Sequence, residues 1–228
     1  MIVMQSAQFP TQNDTGDGDG LPAIPQWREA ANGLQDFIPP SLANLDLDPS
    51  IGDIFFRLRY ILQGHQSSQL SSTDLHDLAC FVLHKLLSSP SDPTLNSVPQ
   101  TPAVSESIRH AVVLYMLIIH GPTYFSHAHL QHNTMIQLKI YLEGLLDALL
   151  FSHASLALWL LSVAIVASHG TPECQWFRFR ARTAAEAFGL YTPDNVLCRL
   201  EEILWFTAPQ VERLFRQRWE DIYANTET

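Results

Sequence analysis

The sequence predicts an all-α protein of about seven or eight helices, and three observations carry that prediction. Apolar residues recur at helical spacing in one segment after another. Gly and Pro punctuate these segments where helices stop and start. No stretch alternates with period two between hairpin turns, so no sheet is expected.

Residues 1–50 hold a Gly/Asp run from Asp14 to Gly20 together with Pro22, Pro25, Pro39, Pro40 and Pro49, and few apolar residues. This reads as a disordered acidic, Pro/Gly-rich arm. Within it, Asp17-Gly18-Asp19-Gly20 resembles part of a calcium loop, but no frame adds a Glu at the twelfth position. The folded domain is assigned to residues 51–225, with order beginning near Asp53.

The first helix carries Ile54, Leu58, Ile61 and Leu62 and stops near Gly64. The next is capped by Ser72 or Thr73 and presents Leu75, Leu78, Ala79, Val82, Leu83, Leu86 and Leu87 as a continuous stripe. Residues 88–103 include Pro90, Pro93, Pro99 and Pro102, a composition that reads as a flexible internal loop. Ser89-Pro90 and Thr101-Pro102 match the minimal site of a proline-directed kinase and read first as loop residues.

A helix through Ile108, Val112, Tyr115 and Ile119 ends at Gly121-Pro122, and a longer one runs from about Thr134 to Phe151. No Asp, Glu, Lys or Arg occurs from Ala148 to Pro172. A membrane span needs about 20 apolar residues. Here Ser152, His153, Ser155 and Ser162 interrupt the run, so it reads as a buried core helix ending at Gly170. Thr171-Pro172-Glu173 and Thr192-Pro193-Asp194 then each spell N-cap, first-turn proline and acid, opening helices with Trp176 and Phe177, and with Val196, Leu200 and Ile203. A last helix from about Pro209 holds Val211, Phe215, Trp219 and Ile222.

Composition limits function. Thirteen basic residues face 23 acidic ones for a formal charge of -10, and only Lys85 and Lys139 are lysines. Such a chain repels phosphate backbones, so no direct nucleic-acid contact is expected. Arg178, Arg180 and Arg182, and Arg213, Arg216 and Arg218, do not form one continuous face and read as surface residues with stems over aromatic rings. Cys80, Cys174 and Cys198 form no CxxC pair, which suggests a reducing compartment and neither disulfides nor a cysteine-based zinc site. The N-terminus shows no secretory pattern.

No catalytic, cofactor or metal residue is assigned. His120, His127, His129 and His132 cluster in sequence, yet His127 and His129 would point about 200° apart on a helix and no His-Glu-x-x-His pattern accompanies them. No Gly-x-Ser-x-Gly elbow or phosphate loop occurs, and the adjacent Glu201 and Glu202 face apart. The expectation is therefore a non-enzyme without a cofactor. A stand-alone helical enzyme or small-molecule binder is the alternative, since the aromatic-rich core offers lining for an apolar effector.

Several pieces recur in a familiar order: Glu106-Ser107-Ile108-Arg109-His110-Ala111, Leu138-Lys139, Leu158-Trp159-Leu160-Leu161, and His169-Gly170-Thr171-Pro172-Glu173. They continue with Gln175-Trp176-Phe177, Phe188-Gly189-Leu190, Leu204-Trp205 and Arg218-Trp219-Glu220-Asp221. In this order the stretch from Glu106 to about Tyr223 resembles the C-terminal half of the fungal-specific transcription factor domain. That helical regulatory region usually follows a six-cysteine binuclear zinc cluster, which this sequence lacks. The resemblance implies a nuclear, pathway-specific transcription regulator tied to a metabolic gene cluster. Its partners would be proteins, either a zinc-cluster transcription factor or the transcription machinery, with no membrane involved.

Overall fold

The computed structural model describes residues 24–33, 42, 44–64, 70–88, 100–121 and 127–224. Every regular element among them is a helix: α1 Pro25–Gly33, α2 Pro49–Gln63, α3 Ser72–Ser88, α4 Gln100–His120, α5 Ala128–Ser152, α6 Ala154–Ala167, α7 Cys174–Ala187, α8 Pro193–Glu201 and α9 Pro209–Ala224. The all-α class holds, with one helix more than the eight segments read from periodicity.

Two helices form the centre. All residues of α6 from Leu156 to Ala167 are buried, and α4 is buried from Ser107 to Leu117. Helix α6 packs against α4, α5, α7, α8 and α9, whereas α4 packs against α2, α3, α5 and α6. Aromatic rings join the two halves: Phe55 meets Trp159 at 6.0 Å, Trp159 meets Tyr115 at 5.7 Å, Tyr115 meets Phe215 at 6.2 Å, and Phe215 meets Trp205 at 5.3 Å. Their polar atoms are satisfied, as burial requires. The Trp159 indole N–H donates to the Leu204 carbonyl at 2.8 Å, the Trp219 indole N–H to Ser162 Oγ at 3.1 Å, and the Phe206 N–H to the Tyr115 hydroxyl at 2.7 Å.

The uncharged run is split at His153, which ends α5 through its N–H to the Leu149 carbonyl and, at φ -141° and ψ 60°, starts α6 in a new direction. Gln131 near the start of α5 donates to the carbonyl of Ala167, the last residue of α6, so α6 returns along α5. At 14 residues α6 is too short to span a bilayer. Among the described residues one window, Ala103–His120 in α4, is long and apolar enough to cross a membrane, and 72% of it is buried inside the protein.

Several boundaries differ from the sequence reading. The arm expected over 1–50 contains α1, and the domain starts before Asp53: Asp48 caps α2 by accepting from the Ser50 and Ile51 N–H groups, ahead of Pro49. Helix α3 is capped by Ser71, one residue before the expected pair. Ser71 and Asp74 form a reciprocal capping box, with Asp74 N–H to Ser71 Oγ at 3.1 Å and Ser71 N–H to Asp74 Oδ2 at 2.9 Å. Helix α4 begins at Gln100, inside the loop expected over 88–103, and α5 begins at Ala128 rather than near Thr134. Residues 89–99, with Ser89-Pro90, and the Asp14–Gly20 run lie outside the described residues.

The two Thr-Pro-acid signals part company. Thr192 does cap α8, accepting from Asn195 N–H at 3.3 Å. Thr171 instead donates its hydroxyl to the Ser168 carbonyl at 2.8 Å, closing a turn, and α7 begins at Cys174. The Gly170 backbone at φ 81° already sets that turn, which only glycine adopts without strain.

Helix α1 is too short to persist alone. It is held by Trp27, which is 5% exposed, packs edge-on against Phe81 at 5.0 Å and lies under the Arg57 guanidinium at 5.5 Å. Arg57 also donates to the Trp27 carbonyl at 3.2 Å. Trp27→Ala is expected to cost about 3 kcal/mol or more in urea unfolding; a change under about 0.5 kcal/mol would show α1 to be undocked.

Candidate interaction surface

The apolar stripe of α5 that faces the core is Leu138, Leu142, Leu145 and Leu149. Ile140, Asp147 and Phe151 lie on the other side: offsets of 7 and 11 residues return to within about 20° of the same direction. The structure leaves them in solvent, with Phe151 at 96% and Ile140 at 54% exposure. On α7, Phe177 is buried while Phe179, two residues on and about 200° round, is 68% exposed.

An ion pair joins the two helices at this surface. Arg180 on α7 reaches Asp147 on α5 at 2.5 Å, with Phe151 one turn beyond Asp147 and Phe179 immediately before Arg180. Nearer the other end, the Lys139 ammonium sits 5.7 Å from the Trp176 ring centroid. Phe188 and Tyr191, both exposed, extend apolar surface past the end of α7. Single exposed apolar residues are ordinary, but a run of large ones along neighbouring helices marks an interaction surface. Phe151 was legible as outward from its place off the leucine stripe, whereas the pairing of Asp147 with α7 was not.

The arginine groups are engaged in pairing rather than forming a basic face. Arg178 donates to the Asp221 carbonyl at 2.5 Å, Arg182 pairs with Glu186, Arg216 with Asp194 and Glu212, and Arg218 with Asp221. Among these arginines Arg180, Arg182, Arg216 and Arg218 pair with acids and Arg178 with a backbone carbonyl. Glu201 and Glu202 do face apart: Glu202 accepts from Ser155 and pairs with Arg199, while Glu201 is exposed.

The Glu106–Ala111 segment forms a buried polar knot between α3, α4 and α5. Arg109 donates through Nε and Nη2 to Glu106 Oε2 at 2.9 and 2.6 Å, and through Nη1 to the Leu86 carbonyl at 3.0 Å. His110 stacks on Tyr141 at 5.7 Å and lies 3.7 Å from the same Glu106 oxygen, which Arg109 already holds. Burial, reinforced by the neighbouring Arg109 charge, pushes the His110 imidazole down to about 3, so the ring is neutral. Burial likewise raises the Tyr141 phenol.

The histidines of the suspected cluster are dispersed along α5: His127 at its N-cap, and His129 and His132 exposed on its first turns. His120 instead meets a residue the sequence reading did not connect with it. Its Nε2 lies 2.7 Å from Nδ1 of His76 on α3, and Cys80 Sγ is 3.6 Å from the other nitrogen of His76. Burial, then the charges of His76 and His127, lowers the His120 imidazole. Among the described residues no three His, Cys, Asp or Glu side chains are grouped to hold a metal ion. A cleft of about 180 Å³, lined by Leu45, Val104, Leu145, Leu149 and His153 among others, opens between the 44–46 segment and the end of α5. Small-molecule sites usually occupy about 300–1,000 Å³.

Compared with known protein families, curated proteins and solved structures, the chain matches none.

The His110 knot has a definite pH signature. Above about 3 the folded ring carries no proton, whereas the unfolded chain takes one below about 6.5. The unfolded state therefore binds more protons between these values, and stability is lost as pH falls through the window. His110→Gln is expected to remove up to about 1.4 kcal/mol per pH unit from the slope of stability between pH 6 and 4. Urea unfolding at several pH values measures it, and equal slopes for the two proteins would refute the assignment.

Proposed function

We propose that the chain is a transcription-regulatory protein of fungal type, pathway-specific, tied to a metabolic gene cluster and resident in the nucleus, that acts through protein contacts. The observation that carries this reading is the exposed apolar surface of α5 and α7, with Phe151 at 96% and Phe179 at 68% exposure beside the Asp147–Arg180 pair. Resemblance supplies the biological class, and it rests on motif order from Glu106 to Tyr223.

The physical chemistry supports contact with a protein over contact with DNA. A formal charge of -10 opposes a phosphate backbone, and the arginines of α7 and most of those of α9 are held by acids or carbonyls. A rigid helical face with aromatic anchors suits a partner's helix or groove. DNA contact would then come from a zinc-cluster transcription factor partner or through the transcription machinery.

The double change Phe151→Glu with Phe179→Glu tests the surface without touching the core, so unfolding stability is expected to shift by no more than about 0.5 kcal/mol per site. Cells carrying it are expected to show the same set of altered transcripts as cells lacking the gene, with tagged protein still nuclear. Transcripts unchanged by both the deletion and the double change, or protein confined to the cytosol, would sink the proposal.

A further inference from the structure

Outside this surface, one cluster brings chemistry-bearing groups from two helices to a single point. His76 on α3 and His120 at the end of α4 are 44 residues apart, yet His76 Nδ1 and His120 Nε2 lie 2.7 Å from one another. The ring centroids are 4.9 Å apart at an interplanar angle of 40°, so the imidazoles meet edge to edge rather than stacked. At 2.7 Å the two nitrogens share one proton in a hydrogen bond, with their in-plane directions pointing at one another, so loss of that proton leaves two facing lone pairs. Helices α3 and α4 pack along one another, which fixes both side chains on rigid supports.

We infer that His76 and His120 form a two-imidazole clamp for a borderline divalent transition ion of the zinc class. Nitrogen donors without a carboxylate select such an ion over calcium or magnesium, which require oxygen. Zinc bonds to imidazole at about 2.0–2.1 Å, so tetrahedral binding sets the two nitrogens about 3.3 Å apart. Binding releases the shared proton, opens the nitrogens by about 0.6 Å from 2.7 Å and turns each ring by about 35° toward the ion. His76 is exposed and His120 half-buried, so side-chain rotation supplies that movement and the remaining coordination positions face water.

Cys80 has a defined place in the clamp although it does not bind the ion. Its sulfur lies 3.6 Å from Nε2 of His76, on the ring edge away from His120. When His76 Nδ1 holds a metal, its proton resides on Nε2, and the Cys80 sulfur is there to accept that N–H. Ligating histidines are oriented in this way by a partner on the second nitrogen. Two protein ligands give a weaker site than a closed four-ligand structural one, and the occupied clamp would staple α3 to the end of α4.

Zinc chloride titrated into the full chain, followed by calorimetry, tests the assignment. The expected result is one zinc ion per chain, with affinity reduced at least tenfold by His76→Ala or by His120→Ala and unchanged by His129→Ala, an exposed histidine on α5. Absence of binding, or affinity retained in both clamp variants, overturns it. A second measurement uses the unaltered protein: modification of histidines by diethyl pyrocarbonate, mapped by mass spectrometry. Zinc is expected to protect His76 and His120 but not His129, and equal modification of all three with and without zinc overturns the clamp.

Discussion

The fold depends on the burial of a helix that has no polar face. Residues Leu156–Ala167 of α6 are buried on all sides, which an isolated helix pair cannot achieve. Five other helices are needed to cover it, and the two polar groups it does present are answered from inside the core. Ser162 Oγ donates to the Leu158 carbonyl and accepts the Trp219 indole, and the Trp159 indole finds the Leu204 carbonyl. Loss of either partner would leave a buried group unsatisfied, at about 1–3 kcal/mol. The register of α9 and of the segment after α8 is therefore set by hydrogen bonds to α6 as well as by hydrophobic contact.

A second constraint concerns helix C-termini, whose last carbonyls lack partners. Here arginines from neighbouring helices supply them. Arg109 reaches Leu86 near the end of α3, Arg59 reaches Glu202 and Ile203 just past α8, and Arg178 reaches Asp221 in the last turn of α9. Cations at these positions also suit the helix dipole. This use of arginine explains a composition with 13 basic residues of which only Lys85 and Lys139 are lysines. A planar fork can serve separate acceptors through different nitrogens, as Arg109 does with Glu106 and the Leu86 carbonyl, where an ammonium has a single nitrogen. The same engagement removes these arginines from any surface that a nucleic acid would recognise.

Most of the fold was legible because its signals are local. Periodic leucines place α2, α3 and α5, and the glycines at 121 and 170, both at positive φ, sit where helices were read to end. What escaped was set by distant residues. Helix α1 has a weak apolar stripe of its own, and Trp27 is buried only because Phe81 and Arg57 are there to receive it. Thr171 and Thr192 share a sequence pattern, but only Thr192 caps a helix, since the turn set by Gly170 places Thr171 three residues ahead of the start of α7. His76 and His120 belong to helices predicted separately, and no periodicity reveals that their edges meet.

The candidate surface shows the same division between local and distant information. That Ile140 and Phe151 face away from the leucine stripe follows from helix geometry alone. That Asp147, on the same side, pairs with Arg180 of α7 does not, because α5 and α7 are each attached separately to α6. The consequence is a face whose backing is the most buried part of the molecule. Both helices rest on an incompressible core, so Phe151, Phe179 and Ile140 are held at fixed separations without having to order a loop on binding. Association through such a face avoids much of the conformational entropy that flexible segments lose. A stable α6 and an exposed α5–α7 surface are thus two sides of one arrangement: the helix that demands covering also makes its cover rigid enough to recognise something else.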